Sequence, residues 1–248
     1  MLEVKFEDEL STAIEQSLAD PSLQPLKLHH LAHDLRGPLN SILGFAELLL
    51  EGVEGPINDV QAEDLAAIRQ SAQNLFQLIN NIVDLSKLNN DRLILAFEPV
   101  NINQLINKIV AGEFGSQQDK FVVALPETPP VIWGDFERIA QILHDLVTFI
   151  RSHKPHEQTT MSVTCNNAHT IIQIKTTGAW LTPKQIDLLF VPIVQTDETG
   201  RSELGTGGIK LPLIQQLAKK HNGIVWLESD KTYGTDFYLK LPLHQNTQ

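Results

Sequence analysis

The pair His33-Asp34, with Gly37-Pro38 one helical turn further on, is the arrangement in this chain best suited to nucleophilic chemistry. A neutral imidazole nitrogen can act as a nucleophile, and an adjacent carboxylate can hold one ring nitrogen and accept its proton. A second candidate lies far along the chain. Gly205-Thr206-Gly207-Gly208-Ile209-Lys210-Leu211 precedes a helical stretch whose N-terminus could hold an anion. It is no Walker A loop, because Leu211 follows Lys210 where a magnesium-binding Ser or Thr is needed, and it reads equally well as a plain turn. The single cysteine, Cys165, excludes an intrachain disulfide framework and a Cys-rich zinc site. It sits in the β-branched run Met161-Ser-Val-Thr-Cys165 and reads as a small strand residue.

The element that must carry His33 is a helix. Leu28, Leu31, Leu35, Pro38, Ile42, Phe45 and Leu49 are spaced three, four, three, four, a heptad seam interrupted by one proline. With Leu28 at position a, His33 falls at f, farthest from the seam, and its imidazole should face water. Proline inside a helix removes a hydrogen bond and is expected to kink it, which points to a shaped site. A second seam, Leu65, Ile68, Ala72, Leu75, Ile79, Ile82, follows the breaker-rich Glu51-Gly-Val-Glu-Gly-Pro-Ile-Asn58. Asn58 with Gln61 three residues on has the form of a capping box. Two antiparallel helices cannot cover such narrow stripes alone, so the sequence predicts a homodimer through a four-helix bundle. The alternative is a monomeric hairpin packed on the next domain.

From about Leu93 the pattern changes. Leu93–Phe97, Phe121–Leu125, Thr160–Cys165 and Thr170–Thr176 read as strands, Phe136–Ile150 and Pro183–Phe190 as helices. Pro212–Lys220 reads as a further helix, and Gly223–Glu228 and Thr235–Leu241 as a closing strand pair around Tyr233-Gly234. The expected class is α+β: a helical hairpin followed by an α/β sandwich. The expected divisions are an N-terminal extension over 1–24, the hairpin over 25–92 and the sandwich over 93–248. Phe6 to Leu18 could form one short amphipathic helix, too little for a ligand-binding sensor.

Over 248 residues, 19 Lys and Arg stand against 30 Asp and Glu, a net charge of −11 with no basic stripe, which disfavours nucleic acid. No apolar run approaches the ~20 residues a membrane span needs, and a cytoplasmic location is expected.

The string His33-Asp34-Leu35-Arg36-Gly37-Pro38-Leu39-Asn40 with Ser41-Ile42-Leu43-Gly44-Phe45 resembles the H-box of two-component sensor histidine kinases. The resemblance implies that the hairpin is the dimerisation and phosphotransfer domain, that His33 receives a phosphoryl group, and that Asp34 is its general base. The second half resembles the ATP-binding domain of the same kinases, through Phe97-Glu-Pro-Val100, Gly134-Asp135 with Arg138 and Gln141, Phe190-Val-Pro192, and His221-Asn-Gly-Ile-Val-Trp-Leu-Glu-Ser229 leading to Gly234-Thr235.

The nucleotide site departs from that pattern. Asp145 stands at the family's first asparagine and Phe149 at the second, the magnesium ligand, and phenylalanine cannot ligate a hard cation. The family's Asp-x-Gly-x-Gly falls on Thr176-Thr177-Gly178-Ala179-Trp180, where only Gly178 survives. Gly208 matches one phosphate-loop glycine, while Lys210 replaces another. The cofactor-binding candidates are therefore Asp145, Gly178, Gly208 and Lys210, no metal site is expected, and binding of Mg-ATP should be weak or absent.

Three readings follow. In the first, His33 takes a phosphoryl group from a partner and passes it to an aspartate on a response-regulator receiver domain, while the eroded ATP half serves as a scaffold. In the second, the protein is an active divergent kinase, with Asp145 replacing the lost metal ligand and Lys210 serving the phosphates. In the third, it is a non-catalytic module that binds a receiver domain or another histidine kinase. Phosphatase activity is disfavoured, because Gly37 stands where the family places a water-orienting Thr or Asn.

Overall fold

A computed structural model describes residues 25–113, 121–153, 158–166, 168–176, 180–190 and 207–243. The expected N-terminal extension and its short helix lie outside the described residues, as do Gly178, Val191-Pro192 and Gly205-Thr206. The chain divides into two compact units, Met1–Leu93 and Ile94–Gln248.

The first unit is a helical hairpin of α1 (Pro25–Leu50) and α2 (Asp59–Asn89). Asn58 starts α2 as the sequence predicts. Its side chain accepts from the Gln61 N–H at 2.9 Å, while the Gln61 side chain accepts from the Asn58 N–H at 3.0 Å. Two amides that helix geometry leaves without partners are thereby satisfied. Helix α1 runs on through Pro38, whose missing N–H leaves the Asp34 carbonyl without its helical donor.

The hairpin core is thin: Ala32, Leu39, Ala72, Ile79 and Val83, with Leu35, Leu43 and Phe76 against them. The two seams split accordingly. Ala72 and Ile79 turn inward, while Ile42, Phe45, Ile68 and Leu75 are exposed. These four form apolar surface that the hairpin cannot bury by itself.

The second unit is an α/β sandwich. Its elements are β1 (Glu98–Asn101), α3 (Ile102–Glu113), β2 (Phe121–Ala124), β3 (Val131–Gly134), α4 (Phe136–His153), β4 (Thr159–Cys165), β5 (His169–Thr176), α5 (Pro183–Leu189), α6 (Gly207–Lys220), β6 (Ile224–Asp230) and β7 (Gly234–Pro242). A five-stranded sheet runs in the order β2-β4-β5-β7-β6; β2 and β4 are parallel and the other pairs antiparallel. The pair β1-β3 forms a separate antiparallel ribbon. Along the central strands alternate residues are buried: Met161 and Val163, Ile172 and Ile174, Phe237 and Leu239. The helices supply the other side of this core, with Ile102, Leu105 and Ile106 from α3, Ile142 and Leu146 from α4, and Leu213 and Leu217 from α6.

Several sequence expectations are corrected here. Leu93–Phe97 is not a strand: Ile94 is exposed, and pairing begins only at Glu98. Helix α3 and strand β3 are additions to the elements expected from the sequence. Helix α6 begins at Gly207 rather than at Pro212, which lies inside it and leaves the Gly208 carbonyl without its helical donor. A proline that reads as a helix start is here an interior residue.

Candidate functional site

In the hairpin, His33 and Asp34 lie side by side on the outside of α1, each with a side chain 78% exposed. The imidazole Nδ1 is 3.4 Å from Asp34 Oδ1, which leaves Nε2 facing away from the carboxylate. Close by, Arg36 turns the other way and donates to Asn80 Oδ1 of α2 at 2.8 Å, fixing the rotation of α1 against its neighbour. The outward position that the heptad spacing predicts for His33 is the one it occupies.

In the second unit, the start of α4 is held by Asp135. One carboxylate oxygen accepts from the Arg138 N–H at 3.1 Å, the other from the Ala96 N–H at 2.9 Å. The Asp135 N–H donates to His221 Nε2 at 3.1 Å, while His221 Nδ1 lies 2.8 Å from the Leu217 carbonyl. These two contacts define the neutral Nδ1–H tautomer, and burial pushes the His221 pKa below its ordinary value. Gly134 lies beside this knot, where a Cβ would meet Ile139 Cδ1 at 2.6 Å and force that side chain to shift.

Asp145, on α4, is 0% exposed, and neither carboxylate oxygen accepts a hydrogen bond among the described residues. Lys210 Nζ of α6 lies 3.9 Å from its Oδ1 and pairs with it, and His144 Nδ1 lies 3.5 Å from the same oxygen. Phe149, one turn along α4, is 6% exposed and meets Phe237 edge-on, with centroids 5.8 Å apart. It is a core residue. Gly208 lies in the first turn of α6.

The structure brings Asp145 and Lys210 together across two helices, a pairing that no local motif announces. It also adds features beyond the sequence reading. Thr159, Thr176 and Thr235 stand in one cross-strand row with Ser229. Ser229 and Thr235 hydroxyls are 2.7 Å apart, whereas the Thr176 hydroxyl, 1% exposed, has no partner among the described residues. Trp180 is exposed, with Lys231 Nζ 4.6 Å from its ring centroid.

The donors do not fit a resident divalent cation. Asp145 is a single carboxylate already beside an ammonium, Phe149 offers no oxygen, and no group of three or more His, Cys, Asp or Glu could hold a metal among the described residues. The orphaned, buried Thr176 hydroxyl does fit a polar ligand group.

Two family models match the chain: the His Kinase A (phospho-acceptor) domain over residues 28–91, and the histidine kinase-, DNA gyrase B-, and HSP90-like ATPase over residues 134–245. The circadian input-output histidine kinase CikA of Synechococcus elongatus is 28% identical over 218 residues, 86% of this chain and 29% of that protein. The sensor protein GacS of Pseudomonas syringae pv. syringae is 29% identical over 244 residues, 95% of this chain and 27% of that protein. The chain thus spans less than a third of the length of either relative. Among solved structures, full-length ShkA in complex with AMPPNP has a TM-score of 0.69 at 22% identity, covering 89% of this chain and 46% of that one. Histidine kinase ThkA in complex with the response regulator TrrA has a TM-score of 0.61 at 17% identity, covering 98% of this chain and 67% of that one. These two likenesses bear on the fold. No helix among the described residues is long and apolar enough to cross a membrane. With the two family models together matching more than half of its length, the chain belongs to the histidine kinase family of two-component signalling.

Proposed function

We propose that this protein is a cytoplasmic phosphotransfer component of two-component signalling, a homodimer in which His33 carries the phosphoryl group and the second unit is regulatory rather than catalytic. The observation that carries the reading is a contrast. His33 and Asp34 are accessible and adjacent, whereas Asp145 is neutralised from within and Phe149 is packed into the core.

In the transfer, His33 Nε2 attacks the phosphorus of an aspartyl phosphate on a receiver domain. The phosphorus–oxygen bond to the receiver breaks, its carboxylate leaves with the electron pair, and Asp34 takes the Nδ1 proton. The reverse step returns the group to a receiver. A homodimer would cover Ile42, Phe45, Ile68 and Leu75.

The test is incubation with a phosphorylated receiver domain or an active partner kinase. The expected result is acid-labile, base-stable label that His33→Gln abolishes without dissociating the dimer. Label that persists in His33→Gln, or wild-type protein that no donor labels, overturns the proposal and leaves an interaction module.

A further inference from the structure

We propose that Arg36 and Asn80 are positioning residues for phosphotransfer, their hydrogen bond setting the rotation of α1 and with it the direction in which His33 is offered to a docked receiver domain. The inference rests on the phosphotransfer reading and deepens it, since it names what aims the imidazole.

Three observations carry it. First, the apolar packing between the two helices fixes rotation poorly. Ala32 and Ala72 are among the residues buried there, small side chains make shallow ridges, and apolar contact has no direction of its own. Second, the bond from Arg36 to Asn80 is directional. Arg36 Nη2 donates to Asn80 Oδ1 at 2.8 Å from α1 to α2, with one partner charged and both residues half-buried. Arg36 follows His33 by three residues in one helix, so the two side chains are neighbours on its surface and turn together. Third, α1 is loosest just beyond this point. Pro38 withdraws the hydrogen bond that the Asp34 carbonyl would accept, and a Cβ at Gly37 would meet nothing within 4 Å. The turn that bears His33 is therefore weakly coupled to the rest of α1, and the tie to Asn80 holds it.

The expected effect is large for a bulky donor. A helix with its side chains has a radius of about 5–6 Å, so a rotation of ~20° swings the imidazole by ~2 Å. Misplacement by ~1 Å at a reacting centre costs up to ~100-fold in rate. A small donor is indifferent to this aim, because the His33 side chain is 78% exposed and can be approached from many directions.

The experiment compares two donors on the full chain. One is the phosphorylated receiver domain that labels the wild type; the other is phosphoramidate, whose phosphorus–nitrogen bond breaks as Nε2 attacks, ammonia leaving as ammonium with the imidazole proton. In both cases the signal is the label that His33→Gln removes. Asn80→Ala keeps the Arg36 charge and should slow transfer from the receiver at least about tenfold, while labelling by phosphoramidate stays within about twofold of the wild type. Asn80→Asp restores an acceptor for Arg36 and should recover most of the receiver rate. In an Arg36→Ala background, Asn80→Ala should cause no further loss, since one contact has already been removed.

Receiver transfer that is unchanged in Asn80→Ala, or that Asn80→Asp fails to recover, overturns the inference. An equal fall with both donors also overturns it, since the loss would then lie in the fold or in the intrinsic reactivity of the imidazole. Wild-type protein that phosphoramidate labels and no receiver does overturns the phosphotransfer reading, and the inference falls with it.

Discussion

Placing asparagine at position 149, where the histidine kinase pattern has a magnesium ligand, should unfold the second unit more readily than it restores a metal site. Phe149 is buried and meets Phe237, itself fully buried, edge-on. Truncating a buried phenylalanine costs ~3–5 kcal/mol, which includes the aromatic pair. A buried amide without partners adds ~1–3 kcal/mol. For Phe149→Asn the sum is roughly 4–8 kcal/mol, and at ~2–4 °C per kcal/mol the unit should melt about 10–30 °C lower. Phe149→Leu keeps the site apolar and should lower the melting temperature by only a few degrees. Thermal unfolding of the full chain, followed by calorimetry, should show the loss in one transition, since each unit has its own core. An asparagine variant that melts within about 2 °C of the wild type would refute the placement of Phe149 in the core.

Sedimentation should show a dimer at tens of micromolar, and Leu75→Glu should raise its dissociation constant by about 100-fold or more, an unpaired carboxylate being costly inside a bundle; a wild-type monomer at those concentrations would count against the bundle. Asn58→Ala removes one half of the capping box and should destabilise the hairpin by ~1 kcal/mol, measured by denaturant unfolding. His221 is held neutral, with its pKa lowered mainly by burial. Its contribution is therefore complete above the unfolded-state value near 6.5 and is lost as pH falls through that value toward the lower folded one. Melting temperature should drop over this acidic window, and His221→Gln should flatten that slope while lowering stability at neutral pH.

The hairpin is legible in the sequence because its signals are local: a 3.5-residue apolar repeat and a reciprocal cap at Asn58 and Gln61. The sheet is legible where alternation is strong, as in β4, β5 and β7. Short elements are not. β1 and β3 have four residues each, too short a stretch for alternation to separate them from loop. Helix α3 starts at Ile102 behind Asn101, whose side chain accepts from the Gln104 N–H at 3.1 Å, a cap whose residues the sequence carries without a strong apolar repeat to point to it. In the second unit, the departure from the family pattern at Phe149 is visible in the sequence, but its burial against Phe237 depends on a strand far along the chain. The pairing of Asp145 with Lys210 is likewise a product of the tertiary packing of α4 on α6, which periodicity does not encode.

The parallel pairing of β2 with β4 has a consequence for the order of folding. The strands β4, β5, β7 and β6 are joined to one another by antiparallel ladders, and two of those connections are short. β2 can join only after α4 has been laid down between Ala124 and Thr159, so its closure entropy falls on a late step. It is also short, four residues at the rim of the sheet, and is held by one ladder alone. The antiparallel strands should therefore assemble first, with β2 docking last and detaching first. In hydrogen exchange its amides would open at a free energy well below that of β5 and β7, so the rim and the centre of one sheet would report two different stabilities.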